Sequence, residues 1–257
     1  MVLLQSLAKA GRPLTLSELT LAMGTNRPTA NRFCHTLAHL GFIQRDTEKR
    51  YNLTPKVLTL GYGVIRGQDW VRIARYYLEG LFNEIRKTVN LAVLDDNEVL
   101  YLQRIKVDNT LPFDLQVGSK LPVYSSSTGK VLMAFGCPEE VQPIIQKLEF
   151  KRFTQKTITC LKAYLKELEK VRKKGYAVND GEFEEGIRSV AAPIRDEHGW
   201  AKAAINIILP IKICSRSELE EIYAPYAMKT GEEISHALRE TAWPFYSSRR
   251  NLGQGEK

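Results

Sequence analysis

Residues 15–41 read TLSELTLAMGTNRPTANRFCHTLAHLG, a short helical pattern, a glycine turn and a longer helical pattern. Thr15 or Ser17 offers an N-cap for the first helix, and Glu18 sits favourably in its opening turn. That helix is expected over Glu18–Met23, with Gly24 as its stop. Pro28 suits the first turn of the second helix. This second helix places Ala30, Phe33, Cys34, Leu37 and Leu40 on one face and ends at Gly41. Helix, glycine turn and helix at this spacing predict a helix-turn-helix. The opposite face carries Arg27, Thr29, Asn31, Arg32 and His35, residue types that bond phosphates and base edges, so the helix suits a major groove.

Upstream, Val2–Ala10 reads as a helix with Val2, Leu3, Leu7 and Ala10 apolar and Gly11 as its end. Downstream, Ile43-Gln44 and Tyr51-Asn52-Leu53 flank Arg45–Arg50 and predict a two-stranded wing. Its tip presents Arg45, Lys49 and Arg50 to phosphates or the minor groove. A small helical bundle with a solvated charged face would use the same residue types, and the charge distribution separates the two. Residues 1–60 hold eight Lys and Arg against three Asp and Glu, so +5 of the net +8 lies in this first quarter. Local basic excess on a helix-turn-helix is the footprint of a DNA-binding module.

From Tyr62 to Lys87 the pattern is helical, with Val64, Ile65, Val71, Ile73, Ala74, Tyr77, Leu78, Leu81 and Ile85 near a 3.6-residue period. Strands are expected at Leu91–Leu94 and Val99–Ile105, a hairpin around Asp95–Glu98, and at Leu115–Leu121, Tyr176–Asn179, Val190–Arg195 and Ala201–Leu209. Helices are expected at Ser126–Phe135, at Leu161–Lys174 before Gly175, and at Ser217–Leu238 with an interruption near Pro225. Helices flanking an antiparallel sheet make an α+β domain. The expected organisation is a winged helix-turn-helix over 1–60, a linker helix over 61–88, an α+β domain over 89–240 and a frayed tail over 241–257.

Several classes fall away on composition. At 257 residues, 44% hydrophobic and 26% charged, the chain is ordinary for a globular protein. The longest apolar stretches, such as Ala203–Ile211, fall short of the roughly 18 residues of a membrane span. No charged n-region precedes the first apolar residues, unlike a secretory signal. Four scattered cysteines without a C-x-x-C pair argue for reduced thiols in the cytoplasm, not a disulfide framework or zinc site. His35 and His39 have a metal-compatible spacing but no third ligand, and His198 and His236 read as surface residues. No cofactor is expected.

With those residues in view, the chain resembles the IclR family of bacterial transcriptional regulators from about residue 2 to 240. The family's recognition-helix pattern is matched by Gly24-Thr25-Asn26-Arg27-Pro28-Thr29-Ala30-Asn31-Arg32, with Pro28 where Ser is usual. Tyr51-Asn52-Leu53-Thr54-Pro55-Lys56-Val57-Leu58 resembles its passage from wing to linker. The second-domain signature matches at Gly175, Glu182, Ser189, Val190, Ala191, Ile194 and Asp196. The resemblance implies a GAF-like effector domain, operator DNA as partner, and a homodimer or dimer of dimers. It also implies an effector site at Leu121, Ser127, Thr128, Asn179 or Asp180, Ser189, Asn206 and Ile208. Ser125-Ser126-Ser127-Thr128 opens a helix, where unpaired N–H groups favour an anion such as a carboxylate. Serines before a helix are usually caps, and strand Ser or Asn often bonds neighbouring backbone. The Leu53–Tyr62 segment looks most like members controlling aromatic-acid catabolism, so an aromatic carboxylate is the first effector expected, before short-chain hydroxy or keto acids.

One enzymatic alternative remains. Ser127-Thr128-Gly129-Lys130 is an S-x-x-K and Lys229-Thr230-Gly231 a K-T-G, as in serine β-lactamases, where Ser127 would be nucleophile and Lys130 its activator. No S-D-N lies between them, and the K-T-G falls in a helical pattern. Gly129-Lys130 is no P-loop either, since Val131 replaces the required Ser or Thr.

Overall fold

Gly11, at φ 61°, takes the left-handed conformation that ends the first helix, α1 (Val2–Ala10). In this computed structural model residues 1–67, 69–107 and 115–240 are described. The chain forms two compact units, residues 1–68 and 69–257. In the first, α2 (Leu16–Ala22) begins two residues earlier than expected because Thr15 is its cap. The Thr15 hydroxyl accepts the Glu18 N–H at 3.3 Å, and the Glu18 carboxylate accepts the Thr15 N–H at 2.8 Å. This reciprocal capping box decides between Thr15 and Ser17. The Asn26 side chain, accepting the Thr29 N–H at 2.9 Å, caps α3 (Arg27–His39), and Pro28 lies in its first turn. Strands β1 (Ile43–Arg45) and β2 (Tyr51–Leu53) form the wing, and Leu14 makes an isolated antiparallel bridge to Tyr51.

Leu3, Leu7, Leu14, Leu19, Cys34, Ile43 and Tyr51 make the core of this unit. Two residues expected on the buried face of α3 are outside it: Phe33 is 49% exposed and Leu40 48%. Ala30, Cys34 and Leu37, spaced four and three apart, define the buried stripe. At 100° per residue Phe33 and Leu40 lie on its flank. Helix α4 (Val57–Gly67) follows the wing.

The second unit opens with α5 (Asp69–Ile85) and continues through β3 (Thr88–Asp95) and β4 (Glu98–Ile105). Next come β5 (Lys120–Pro122), α6 (Ser127–Phe135), α7 (Pro138–Gln146), α8 (Leu161–Lys174), β6 (Ala177–Asp180), β7 (Ile187–Arg195) and β8 (Ala201–Pro210). A last helical segment runs from α9 (Arg216–Glu218) through a π turn at Leu219–Tyr223 into α10 (Ala224–Arg239). The strands build one antiparallel six-stranded sheet in the order β5-β4-β3-β8-β7-β6. One face packs Val89, Leu91, Ile205, Ile207 and Val190 against α5 and α10; the other packs Ala92, Tyr101, Ala191 and Ala204 against α6 and α8. With both faces covered, β8 reads as a nearly unbroken apolar run after Lys202, and Asn206 is its one buried polar residue.

Two further details depart from the expected elements, and a third matches them. The strand expected at Leu115–Leu121 shrinks to β5, because a turn with Gly118 at φ 90° interrupts it. Helix α7 was not anticipated; its glutamates, glutamine and internal Pro143 obscure a two-residue apolar stripe of Val141 and Ile145. The interruption expected near Pro225 is the π turn, in which the Ala224 N–H reaches back to Leu219. Pro225 has no N–H to give the Glu221 carbonyl and its ring crowds that oxygen, so a widened turn relieves the collision. The tail expected over 241–257 lies outside the described residues. Among the described residues no helix is long and apolar enough to cross a membrane.

Candidate DNA interface and effector cavity

Helix α3 presents Arg27, Asn31, Arg32 and His35 to solvent, while Thr29 is half-buried beside its bond to Asn26. At 100° per residue Arg32 points straight away from the Ala30–Cys34 stripe, with His35 next to it and Arg27 and Asn31 toward one flank. Thr29 and the exposed Phe33 lie toward the other. The wing arginines and lysine divide into different situations. Arg45 is exposed, its guanidinium 5.6 Å from the Tyr51 ring centre. Lys49 is exposed at the turn, at φ 62°. Arg50 is held inside the wing: its Nε donates to Asp46 at 2.9 Å and its guanidinium pairs with Glu48 at 2.9 Å. The Arg50 backbone N–H also donates to Asp46, which holds that carboxyl below its ordinary range. Arg50 therefore closes the wing turn. Lys56, donating to the Leu40 carbonyl at 2.8 Å, ties the end of α3 to the exit of the wing.

In the second unit a small cavity lies against the α6 face of the sheet. Its polar wall is Tyr101, Ser126, Asn179, Ser189 and Asn206; its apolar wall is Leu115, Leu121, Ile208, Phe183 and Ile187, and Glu184 stands beside them. Five of the eight expected effector residues are therefore together: Leu121, Asn179, Ser189, Asn206 and Ile208. Ser127 and Thr128 are buried and reach the cavity only through partners. The Ser127 hydroxyl is 2.8 Å from that of Ser189, and Thr128 Oγ1 is 3.3 Å from the Tyr101 hydroxyl. Ser126 is the helix cap, accepting the Gly129 N–H at 3.1 Å. Asp180 does not line the cavity. Burial alone would raise its carboxyl, but bonds from Arg188 and Lys156 hold it below the ordinary range. Asn179 is a brace as well as a wall residue, donating to the Ser125 carbonyl and accepting the Glu182 N–H at 3.1 Å.

Sequence reasoning missed Tyr101, Leu115, Ser126, Phe183, Glu184 and Ile187. Tyr101 had a usable signal, as an aromatic inside an expected strand; the loop residues around Phe183 had none.

Two family models match this arrangement: "IclR helix-turn-helix domain" over residues 1–47 and "Bacterial transcriptional regulator IclR C-terminal" over residues 62–236. The chain belongs to the IclR family. It is 30% identical to the Pca regulon regulatory protein of Pseudomonas putida over 93% of this chain and 82% of that protein. It is 31% identical to the HTH-type transcriptional regulator KdgR of Escherichia coli (strain K12), over 95% and 92% respectively. The crystal structure of the Thermotoga maritima IclR matches with a TM-score of 0.70 at 30% identity, covering 92% of this chain and 96% of that one. Like these IclR proteins, the chain is a DNA-binding transcriptional regulator and not an enzyme.

The geometry of this IclR regulator also disposes of the S-x-x-K reading. Lys130 is fully buried and donates to the Glu182 carboxylate at 2.5 Å and to the Val178 carbonyl at 3.0 Å. The Ser127 hydroxyl is occupied by Ser189, not by a base. The K-T-G lies on α10, where Gly231 packs against the Pro193 carbonyl so closely that a Cβ would stand 2.7 Å from it. Among the described residues no group of three or more His, Cys, Asp and Glu could hold a metal, His35 and His39 included.

Proposed function

We propose that this IclR regulator controls a catabolic operon in the cytoplasm by sensing a small organic carboxylate in the Tyr101–Asn206 cavity. Arg32, His35, Asn31 and Thr29 would read base edges, and Arg27, Arg45 and Lys49 would hold phosphate. The observation that carries the DNA assignment is the exposure of Arg32 and His35 on the outer face of a capped α3. A homodimer or dimer of dimers is supported by Leu58 and Tyr62 on α4, 74% and 63% exposed, because large apolar side chains at one site mark association surfaces. One short helix also buries too little surface for useful specificity.

The cavity measures about 30 Å³, well below the ~150 Å³ of an apolar cavity that admits benzene. An aromatic acid would enter only as the Phe183–Ile187 segment withdraws, which links binding to a change of state. The small volume favours a second reading in which a short-chain hydroxy or keto acid is the effector. Fluorescence anisotropy of labelled DNA from upstream of the protein's own gene, across salt concentrations, tests both. Specific binding that falls steeply with salt, and that either 4-hydroxybenzoate or pyruvate shifts, is expected. Specific DNA binding indifferent to every carboxylate would remove the effector assignment, and no specific binding would remove the operator assignment.

A further inference from the structure

The middle of the sheet carries a buried polar row that runs across three strands, from β4 through β3 to β8. Asn90 on β3 faces Asn206 on β8, both fully buried, and Asn90 Nδ2 donates to Asn206 Oδ1 at 2.7 Å. On the other side Arg104 faces Asn90 and donates to its Oδ1 at 3.4 Å. Asn206 in turn lines the cavity together with Tyr101, whose hydroxyl lies 3.3 Å from that of Thr128. Strict alternation would put Tyr101 and Arg104, three residues apart, on opposite faces of β4. A bulge prevents that. Leu91 pairs with Gln103 and Ala92 with Tyr101, which leaves Leu102 as an extra residue and turns Arg104 onto the cavity face.

The chemistry of this row gives it one direction. An asparagine amide can sit either way round, with its oxygen or its nitrogen toward a given neighbour, but a guanidinium is a donor only. Arg104 therefore takes the Asn90 oxygen. Asn90 then has only its amino group left for Asn206, which must answer with its own oxygen. That leaves the Asn206 amino group for Tyr101 and the cavity wall. We propose that Arg104 is the positioning residue that sets the polarity of the effector cavity: acting through Asn90, it holds Asn206 with its N–H groups toward the ligand, so the site selects an oxyanion. This rests on the cavity being the effector site proposed above. It adds the reason an anion is preferred where Glu184 also stands on the wall and would by itself favour a cation.

The test uses full-length wild type, Arg104→Lys, Arg104→Met and Asn206→Asp. Ligand-free samples labelled with [15N]asparagine report the nuclear Overhauser contact between the Asn206 side-chain amide and the Tyr101 ring. Calorimetry reports affinity for 4-hydroxybenzoate and pyruvate. The expected result is that wild type and Arg104→Lys, which both supply a donor, keep the contact and the affinity. Arg104→Met, matched in stem length, should lose the contact and at least tenfold in affinity. Asn206→Asp, which places an acceptor on the wall, should lose as much and keeps the test alive if Arg104→Met does not fold. The contact persisting in Arg104→Met, or equal loss in the lysine and methionine variants, overturns the proposal. An Arg104-dependent contact in a protein that binds neither acid would leave the polarity standing and remove the effector reading instead.

Discussion

The Ser127 and Ser189 hydroxyls meet at 2.8 Å, joining the first turn of α6 to the cavity-lining face of β7. Both are buried, and Ser189 is the register partner of Asn179, which braces the adjoining turn. One hydrogen bond thus connects the helix, the cavity wall and the loop that closes it.

Removing half of that bond should cost more than removing both halves. Ser189→Ala leaves the Ser127 hydroxyl buried without its partner, a loss of about 1–3 kcal/mol. The Ser127→Ala/Ser189→Ala double variant should be less destabilised than the sum of the two singles. Urea unfolding of the four proteins gives the coupling energy. Strict additivity would show that the two hydroxyls do not interact in solution.

Lys130 and Glu182 pose the same question with charge. Burial pushes the Glu182 carboxyl up and Lys130 opposes it, while Glu182 Oε2 has no hydrogen-bond partner among the described residues. Breaking a buried pair from one side costs about 3–5 kcal/mol, whereas replacing both partners with apolar groups is often neutral. Lys130→Met should therefore unfold at markedly lower urea than wild type, and Lys130→Met/Glu182→Leu should recover most of the loss. A double variant as weak as the single one would refute a pairwise role.

What could be read beforehand follows the range of the interactions. Gly11 and Gly175 end helices through their own φ, and Pro28 and Asn26 act within one turn, so α1, α3 and α8 were legible residue by residue. Strands β3, β7 and β8 were legible as short apolar runs bounded by turn residues, because run length and turn chemistry are local. Phe33 and Leu40 were misplaced because a helical face is about 100° wide, and its centre depends on what packs against it. Tyr101 joins the cavity through the pairing of β4 with β3, and Phe183 and Glu184 because the loop between β6 and β7 borders the wall. The bulge at Leu102, which decides where Arg104 points, is a property of β4 against β3 and leaves no mark in β4 alone.

Gly129 is a further case that sequence could not give. In an exposed helix interior, replacing glycine with alanine gains about 1 kcal/mol. Here a Cβ would stand 2.3 Å from the Val123 carbonyl oxygen and 2.4 Å from the Val123 Cα. Backbone cannot yield as a side chain can, so Gly129→Ala should destabilise by about 1–3 kcal/mol and disturb the Ser126 cap. A thermal melt settles the sign, and a raised Tm would mean that α6 approaches that turn less closely in solution.

Glu220, in the π turn, supplies the pH dependence. Burial would raise its carboxyl, but bonds from Lys174, Arg216 and Tyr176 hold it down at about 2 against an ordinary value of 4.5. A carboxyl depressed in the folded state contributes stability that is present above its unfolded pKa. That stability is lost as pH falls from about 4.5 through about 2. Glu220→Gln should therefore be less stable than wild type at neutral pH, with the difference shrinking as acid is added. Urea midpoints measured from pH 7 downward check this; a difference that stays constant with pH would assign the loss to packing.

On the wing, Lys49 and Arg50 are neighbours with opposite expected consequences. Lys49 holds a left-handed φ of 62° that glycine adopts freely, so Lys49→Gly should leave stability unchanged or raise it slightly. The same substitution removes an exposed cation, and the salt dependence of DNA binding should become shallower by about one phosphate contact. Arg50 is held by Asp46 and Glu48, so Arg50→Ala should loosen the turn and lower affinity with less change in salt slope. Arg32→Ala, on the outer face of α3, should weaken specific binding by about 1–3 kcal/mol without altering unfolding. Anisotropy titrations at several salt concentrations, on specific and scrambled duplexes, separate the three. If Arg50→Ala flattens the salt slope as much as Lys49→Gly, Arg50 leaves its carboxylates for phosphate when DNA arrives, and the wing turn is remade in the complex.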